Sequence, residues 1–173
     1  FQAGILYTPV PNVYLGASYT NPQEITYEGL LAAGQPPMAP TYNDLSLEAP
    51  EQYAIGISTE QLDKRLVLGV DIRWIQWGDA NGYCEFGWEN QTVFAVGGQY
   101  AVIPEKFVIR AGYNFGANPV KTNDGFDGSF NPTTGMPNDV VMVQGTPFPR
   151  YYYEAFRIVG FPAIVEHHVT LGA

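Results

Sequence analysis

The sequence has one cysteine, Cys84, so no internal disulfide can form, and neither a CxxC pair nor a Cys/His spacing suggests a zinc site. Basic residues are scarce: 8 Lys and Arg stand against 17 Asp and Glu, a net charge of −9, and they form no patch. Neutralising a phosphate backbone requires such a patch, so no nucleic-acid partner is expected. No apolar run approaches the roughly 18 residues of a transmembrane helix, and no basic, apolar, small-residue signal segment opens the chain. GxSxG, P-loop, GxGxxG and HExxH patterns are absent, as is any Ser/His/Asp order. Nothing nominates a nucleophile, so the chain is expected not to be an enzyme and to carry no cofactor.

What the sequence does contain is period-two alternation, in segments punctuated by Pro, Gly, Asn and Asp. In 65–77, Leu66, Leu68, Val70, Ile72 and Trp74 share one face, while Arg65, Gly69, Asp71 and Arg73 share the other. Residues 107–116 repeat this, with Phe107, Ile109, Ala111, Tyr113 and Phe115 opposed to Val108, Arg110, Gly112, Asn114 and Gly116. The pattern predicts about seven antiparallel strands, at 1–7, 13–28, 44–58, 65–78, 87–101, 107–118 and 162–173, with helical periodicity scarcely visible. The intervening connections alternate in length. Those at 8–12, 59–64 and 102–106 are short, whereas 30–43, 79–86 and 118–161 are mostly long.

Short turns at one end and long loops at the other describe an outer-membrane barrel, and a soluble β-sandwich or lipocalin-like barrel has no reason to segregate them. If the chain meets a membrane, it does so as strands. Aromatic placement fits two interfacial girdles, with Tyr7, Tyr14, Tyr53, Tyr100 and Phe107 expected by the short turns and Trp74, Trp77, Trp88, Tyr113 and Phe115 toward the long loops. Glycines concentrate on the polar face, where they leave space or admit a close-packed plug.

Several phrases in order resemble the outer-membrane family that transports long-chain fatty acids and aromatic hydrocarbons. They are AGILYTP at 3–9 with 13–19, LEAPEQYAIG at 47–56, VDIRWIQWG at 70–78, IRAGYNFGANPV at 109–120 and FPAIVEHHVTLG at 161–172. The resemblance implies an all-β fold, an antiparallel transmembrane β-barrel in the bacterial cell outer membrane, with about seven of fourteen strands present. Residues 1–173 would then form part of one barrel domain, with an N-terminal plug and the final strands absent from this sequence. It also implies passive uptake of hydrophobic small molecules and contact with outer-membrane lipid and lipopolysaccharide. A polar-solute porin and a non-transporting surface or adhesion barrel are the rival functions.

Strand parity aims Asp71, Arg73, Arg110, Glu166 and His168 at the lumen of such a barrel. The arginines there would attract a fatty carboxylate or gate by charge pairing, against the plainer expectation that Asp71 and Arg73 pair with cross-strand neighbours. Glu166 and His168 share a face and His167 does not, too thin a set for a metal. The turn at 123–128, with Asp124 and Asp127, lacks the remaining calcium ligands. Phe148, Tyr151, Tyr152, Tyr153 and Phe156 form either an external hydrophobic landing surface or loop packing over the barrel mouth. Pro50, which cannot donate a ladder hydrogen bond, marks a bulge or a break in its strand.

Overall fold

The structure, a computed structural model, describes residues 1–33, 41–123, 125, 127–160 and 165–173. Segments 34–40 and 161–164, together with Asp124 and Phe126, lie outside the described residues, and with them go parts of the expected 30–43 loop, the 162–173 strand and the 123–128 turn.

Alternation at the spacing of a pleated strand produces one seven-stranded antiparallel sheet. It contains β1 (Gln2–Val10), β2 (Val13–Thr20), β5 (Gln52–Gln61), β6 (Leu66–Ile75), β7 (Gln91–Ile103), β8 (Phe107–Gly116) and β11 (His167–Gly172), in that order. Between β2 and β5 the chain makes a ribbon of β3 (Gln23–Ala33) and β4 (Thr41–Ala49). Between β8 and β11 it makes a hairpin of β9 (Val140–Val143) and β10 (Thr146–Pro149), then helix α1 (Arg150–Gly160). Every neighbour in the large sheet is antiparallel, and β1 and β11 stand at its two edges, so the sheet does not close on itself.

The short connections are tight because their residues accept left-handed backbone. Asn12 has φ 65°, Leu62, Asp63 and Lys64 have φ 54°, 52° and 67°, and Glu105 has φ 62°. Asn and Asp tolerate this region, whereas Leu62 carries a real steric cost there. All three turns lie at one end of the sheet, and the ribbon, the 76–90 segment and the 117–166 excursion all leave from the other.

Two long expected strands divide. The 13–28 strand breaks at Asn21-Pro22 and the 44–58 strand at Pro50-Glu51, at one level, because Thr20 still pairs with Gln52 below the break and Gln23 with Ala49 above it. Neither proline has an N–H for a ladder, so two facing prolines end the sheet and begin a separate ribbon. Pro50 is therefore a break between strands, with its side chain buried. The same break puts Tyr53 second in β5, paired with both Tyr19 and Trp74. It thus lies toward the long excursions, opposite to its expected place by the short turns.

Apolar packing is concentrated at the excursion end. Leu31, Leu45, Phe86, Trp88, Val143 and Tyr153 form one buried cluster, flanked by Leu47, Trp77, Tyr83, Val120, Val141 and Phe148. Backbone and side chains stitch it together: Gln144 bonds both the N–H and the C=O of Ser46, each at 2.9 Å, and Asn43 donates to Thr146 at 2.7 Å. Within the large sheet, Ile75 at the end of β6 is the one buried hydrophobic side chain among the described residues.

Candidate functional site: a two-faced sheet and its capping helix

Register fixes the composition of each face. One cross-strand row reads Tyr7, Leu15, Ile57, Val70, Val96, Tyr113, Val169, and the row beside it reads Ile5, Ala17, Ile55, Ile72, Phe94, Phe115, His167. No charge interrupts these rows, and nothing covers them: Ile55 is 60% exposed, Val96 50% and Val169 72%. Aromatic rings gather near the excursion end of this face, where Tyr19 packs in tilted contacts with Phe1 and Tyr53 at centroid distances of 5.7 and 5.1 Å. Tyr100 and Phe107 sit toward the turns. His167 lies on this face too, within 2.7 Å of the Tyr113 hydroxyl and 5.0 Å from the Phe115 ring.

The opposite face is small and polar. Its central row reads Leu6, Gly16, Gly56, Asp71, Ala95, Asn114, His168, and the next toward the turns reads Tyr14, Ser58, Gly69, Gly97, Gly112, Thr170. Asp71, Arg73, Arg110 and His168 share this face, as their parity requires. Asp71 and Arg73 do not pair: among the described residues neither forms an ion pair. The Asp71 carboxylate lies across the strand over Gly56, in the space a Cβ there would fill. Arg110 instead donates through Nε to Gln99 Oε1 at 3.3 Å. Glu166 continues the register of β11 against β8, and its carboxylate is engaged by backbone. It precedes β11, and its carboxylate accepts the Asn118 N–H at 2.8 Å while its carbonyl accepts from Gly116 at 3.0 Å.

Two grooves open on the polar face. One of about 470 Å³ runs over β1, β2, β5 and β6, past Gly16, Ser18, Gly56, Ser58 and Gly69. The other, about 250 Å³, runs over β7, β8 and β11, past Ala95, Gly97, Asn114 and His168. Asp71 lines both.

Helix α1 divides the expected aromatic surface. Tyr153 is buried, its ring centroid lies 6.2 Å from that of Phe86 in a tilted contact, and its hydroxyl donates to the Glu85 carbonyl at 2.6 Å; burial pushes its phenol up from the ordinary value. Phe148 packs against the same core. Tyr151, Tyr152 and Phe156 remain exposed, at 36%, 53% and 39%. The five aromatic residues thus divide between core packing at the excursion end and an exposed arc.

The charges of α1 are arranged the other way round from those of an ordinary surface helix. Glu154 and Arg157 are buried, and all three charged residues of the helix lie in one network: Arg157 with Glu154, Arg150 with Glu154 and Asp139, and Asn123 donating to Glu154 at 2.5 Å. Its outward arc, through Tyr151, Tyr152, Ala155, Phe156, Ile158 and Val159, carries no charge. The spacing of Arg150, Glu154 and Arg157, at i, i+4 and i+7, is the helical signal the sequence held. A run of aromatic and β-branched residues masked it, since those types favour strands.

No protein-family model matches this chain, and no curated protein sequence does. Among the described residues the fold is a mostly antiparallel β architecture with one α-helix. No helix among the described residues is long and apolar enough to cross a membrane, which says nothing about strands.

Proposed function

We propose that this chain is wall and cap of an outer-membrane β-barrel channel for hydrophobic compounds, of the long-chain fatty acid and aromatic hydrocarbon transport family. The observation that carries this reading is the uncovered apolar face. A seven-stranded sheet in water must bury one face against another layer, yet here none of the side chains in the apolar rows is buried, Ile72 being 38% exposed and Val169 72%, and the rows carry no Asp, Glu, Lys or Arg. Lipid satisfies that face.

The dimensions are of the right order. From the level of Trp74, with Tyr53 and Tyr19, to that of Leu66, paired with Tyr100, the strand covers about 26 Å at ~3.3 Å per residue, which at the ~35–45° strand tilt of such barrels spans about 19–22 Å of their ~25 Å apolar band. Short turns at one end and built-up excursions at the other agree as well. β1 and β11 carry no Lys, Asp or Glu to guard an open sheet edge, as expected of strands paired with further strands in a closed barrel.

Solute would first meet the uncharged outward arc of α1 at the excursion end, then pass along the glycine-rich polar face. The function needs no catalysis: the protein offers a path around the polar lipopolysaccharide layer. The test is uptake of radiolabelled toluene and palmitate by cells displaying the full-length protein. Saturable uptake above that of cells lacking it supports the reading. Ion conductance without such uptake moves the function to a polar-solute porin, and loop-dependent cell adhesion without either moves it to a surface barrel.

A further inference from the structure

We infer that Asp71 is a charge filter on the channel wall, selecting uncharged hydrophobic solutes over those that carry a carboxylate. The inference rests on the channel reading and names its substrate class. Asp71 lies midway across the seven strands and is the one residue lining both polar-face grooves, so a solute moving along either passes its carboxylate. It is the only residue with a formal charge in either lining when His168 is neutral.

No ion pair ties up that charge: Asp71 has no Lys or Arg within ion-pair distance among the described residues. Arg73 sits one row nearer the excursions, paired with Ala54 and Val93, and lines neither groove. Arg110 lies toward the turns and is engaged by Gln99. The wall is also shaped for the carboxylate: its oxygen takes the space over Gly56 that any other residue's Cβ would claim. Gly56 thus lets Asp71 lie flat, leaving the grooves open while keeping their charge. An unpaired carboxylate lining both grooves repels an ionised fatty acid and leaves toluene almost unaffected, which is specificity by repulsion.

The experiment measures palmitate and toluene uptake side by side in cells displaying the full-length protein and its Asp71→Asn, Asp71→Glu, Gly56→Ala and Arg73→Gln variants. Outer-membrane display and heat-dependent mobility in SDS are checked for each. Asp71→Asn is expected to raise the palmitate-to-toluene ratio about tenfold, and Asp71→Glu to leave it near the parent value. Gly56→Ala, which displaces the carboxylate without removing it, is expected to alter the ratio at constant net charge. An unchanged ratio in a well-displayed Asp71→Asn variant that still takes up toluene overturns the filter and leaves the channel intact. So does palmitate uptake that collapses in Arg73→Gln while Asp71→Asn has no effect, because the wall would then be reading the carboxylate through its arginine. Uptake of neither solute by the parent protein overturns the channel reading itself.

Discussion

Arg157 donates through Nε to the Glu154 carboxylate at 2.5 Å, and the two side chains are only 5% and 8% exposed. A buried ion pair is a weak source of net stability, but removing one partner strands the other charge away from water, at a cost of about 3–5 kcal/mol. Arg157→Met is therefore expected to loosen the cap formed by α1 and the 76–90 segment. Near-UV circular dichroism of Trp77 and Trp88, followed through thermal unfolding, reports on that cap. The double variant Glu154→Leu/Arg157→Met should recover much of the loss; a single variant as stable as the parent would show that the pair is not buried in solution.

Tyr153 anchors the same helix by another route. Tyr153→Phe keeps the ring against Phe86 and deletes the bond to the Glu85 carbonyl, so the expected loss is about 1 kcal/mol. Tyr153→Ala also removes the ring and should cost about 3–5 kcal/mol. Equal losses for the two variants would mean that the hydroxyl, and not the packing, holds the helix.

The outward arc of α1 offers the opposite contrast. Val159 is 80% exposed and Tyr152 53%, so Tyr152→Ser with Val159→Ser should shift stability by no more than about 0.5 kcal/mol per site. If the arc captures solute, uptake of toluene at low concentration should fall several-fold while uptake at saturating concentration holds. Unaltered uptake at both concentrations would assign the arc to some other partner.

The strands of the large sheet were legible because alternation over eight or more residues has one physical solution, a strand with two unlike faces. The 65–78 expectation against Leu66–Ile75 shows how close that comes. The polar-face positions of Asp71, Arg73, Arg110 and His168 followed from the same parity. Glu166 continues the same register through the bond of its carbonyl to the Gly116 N–H, and only the structure shows its carboxylate held by the Asn118 N–H. The break at Pro22 and Pro50 was half legible. One proline signals a bulge or an end, and only the register reveals that two of them face each other. Helix α1 was hidden because a run of aromatic and β-branched residues masked the spacing of its three charges, and the network those charges enter extends to Asn123, 31 residues from Glu154. The bare carboxylate of Asp71 was illegible for a related reason: whether a charge is paired depends on its cross-strand neighbours, and here they are glycine and alanine.

Cys84 carries a pH prediction. Burial pushes its thiol above the ordinary 9.0, and the Glu85 carboxylate, accepting the S–H at 3.2 Å, pushes it the same way. The folded state therefore holds this proton more tightly than the unfolded chain, so the stabilising contribution is complete below the ordinary value and is lost as pH rises through the shifted one. The thiolate is the reactive form, so alkylation of native protein by iodoacetamide should begin at higher pH than for the denatured chain. Glu85→Gln should bring the two curves closer. Native and denatured curves that coincide would show the thiol to be free of both influences.

The apolar face gives the sharpest separation of membrane from water. Val96 is 50% exposed at the centre of β7, flanked across the sheet by Val70 and Tyr113. In a soluble sheet with this face in water, Val96→Arg would gain hydration and cost little. In a barrel wall the same arginine enters hydrocarbon near the bilayer midplane, at about 2–4 kcal/mol. The companion Ala95→Arg points to the polar face, where charge is ordinary for a barrel lumen. Measured by guanidinium unfolding of the full-length protein in lipid, Val96→Arg should be destabilised by that amount and Ala95→Arg by much less. Equal effects at the two neighbouring positions would remove the distinction between the faces, and with it the ground for placing this sheet in a membrane.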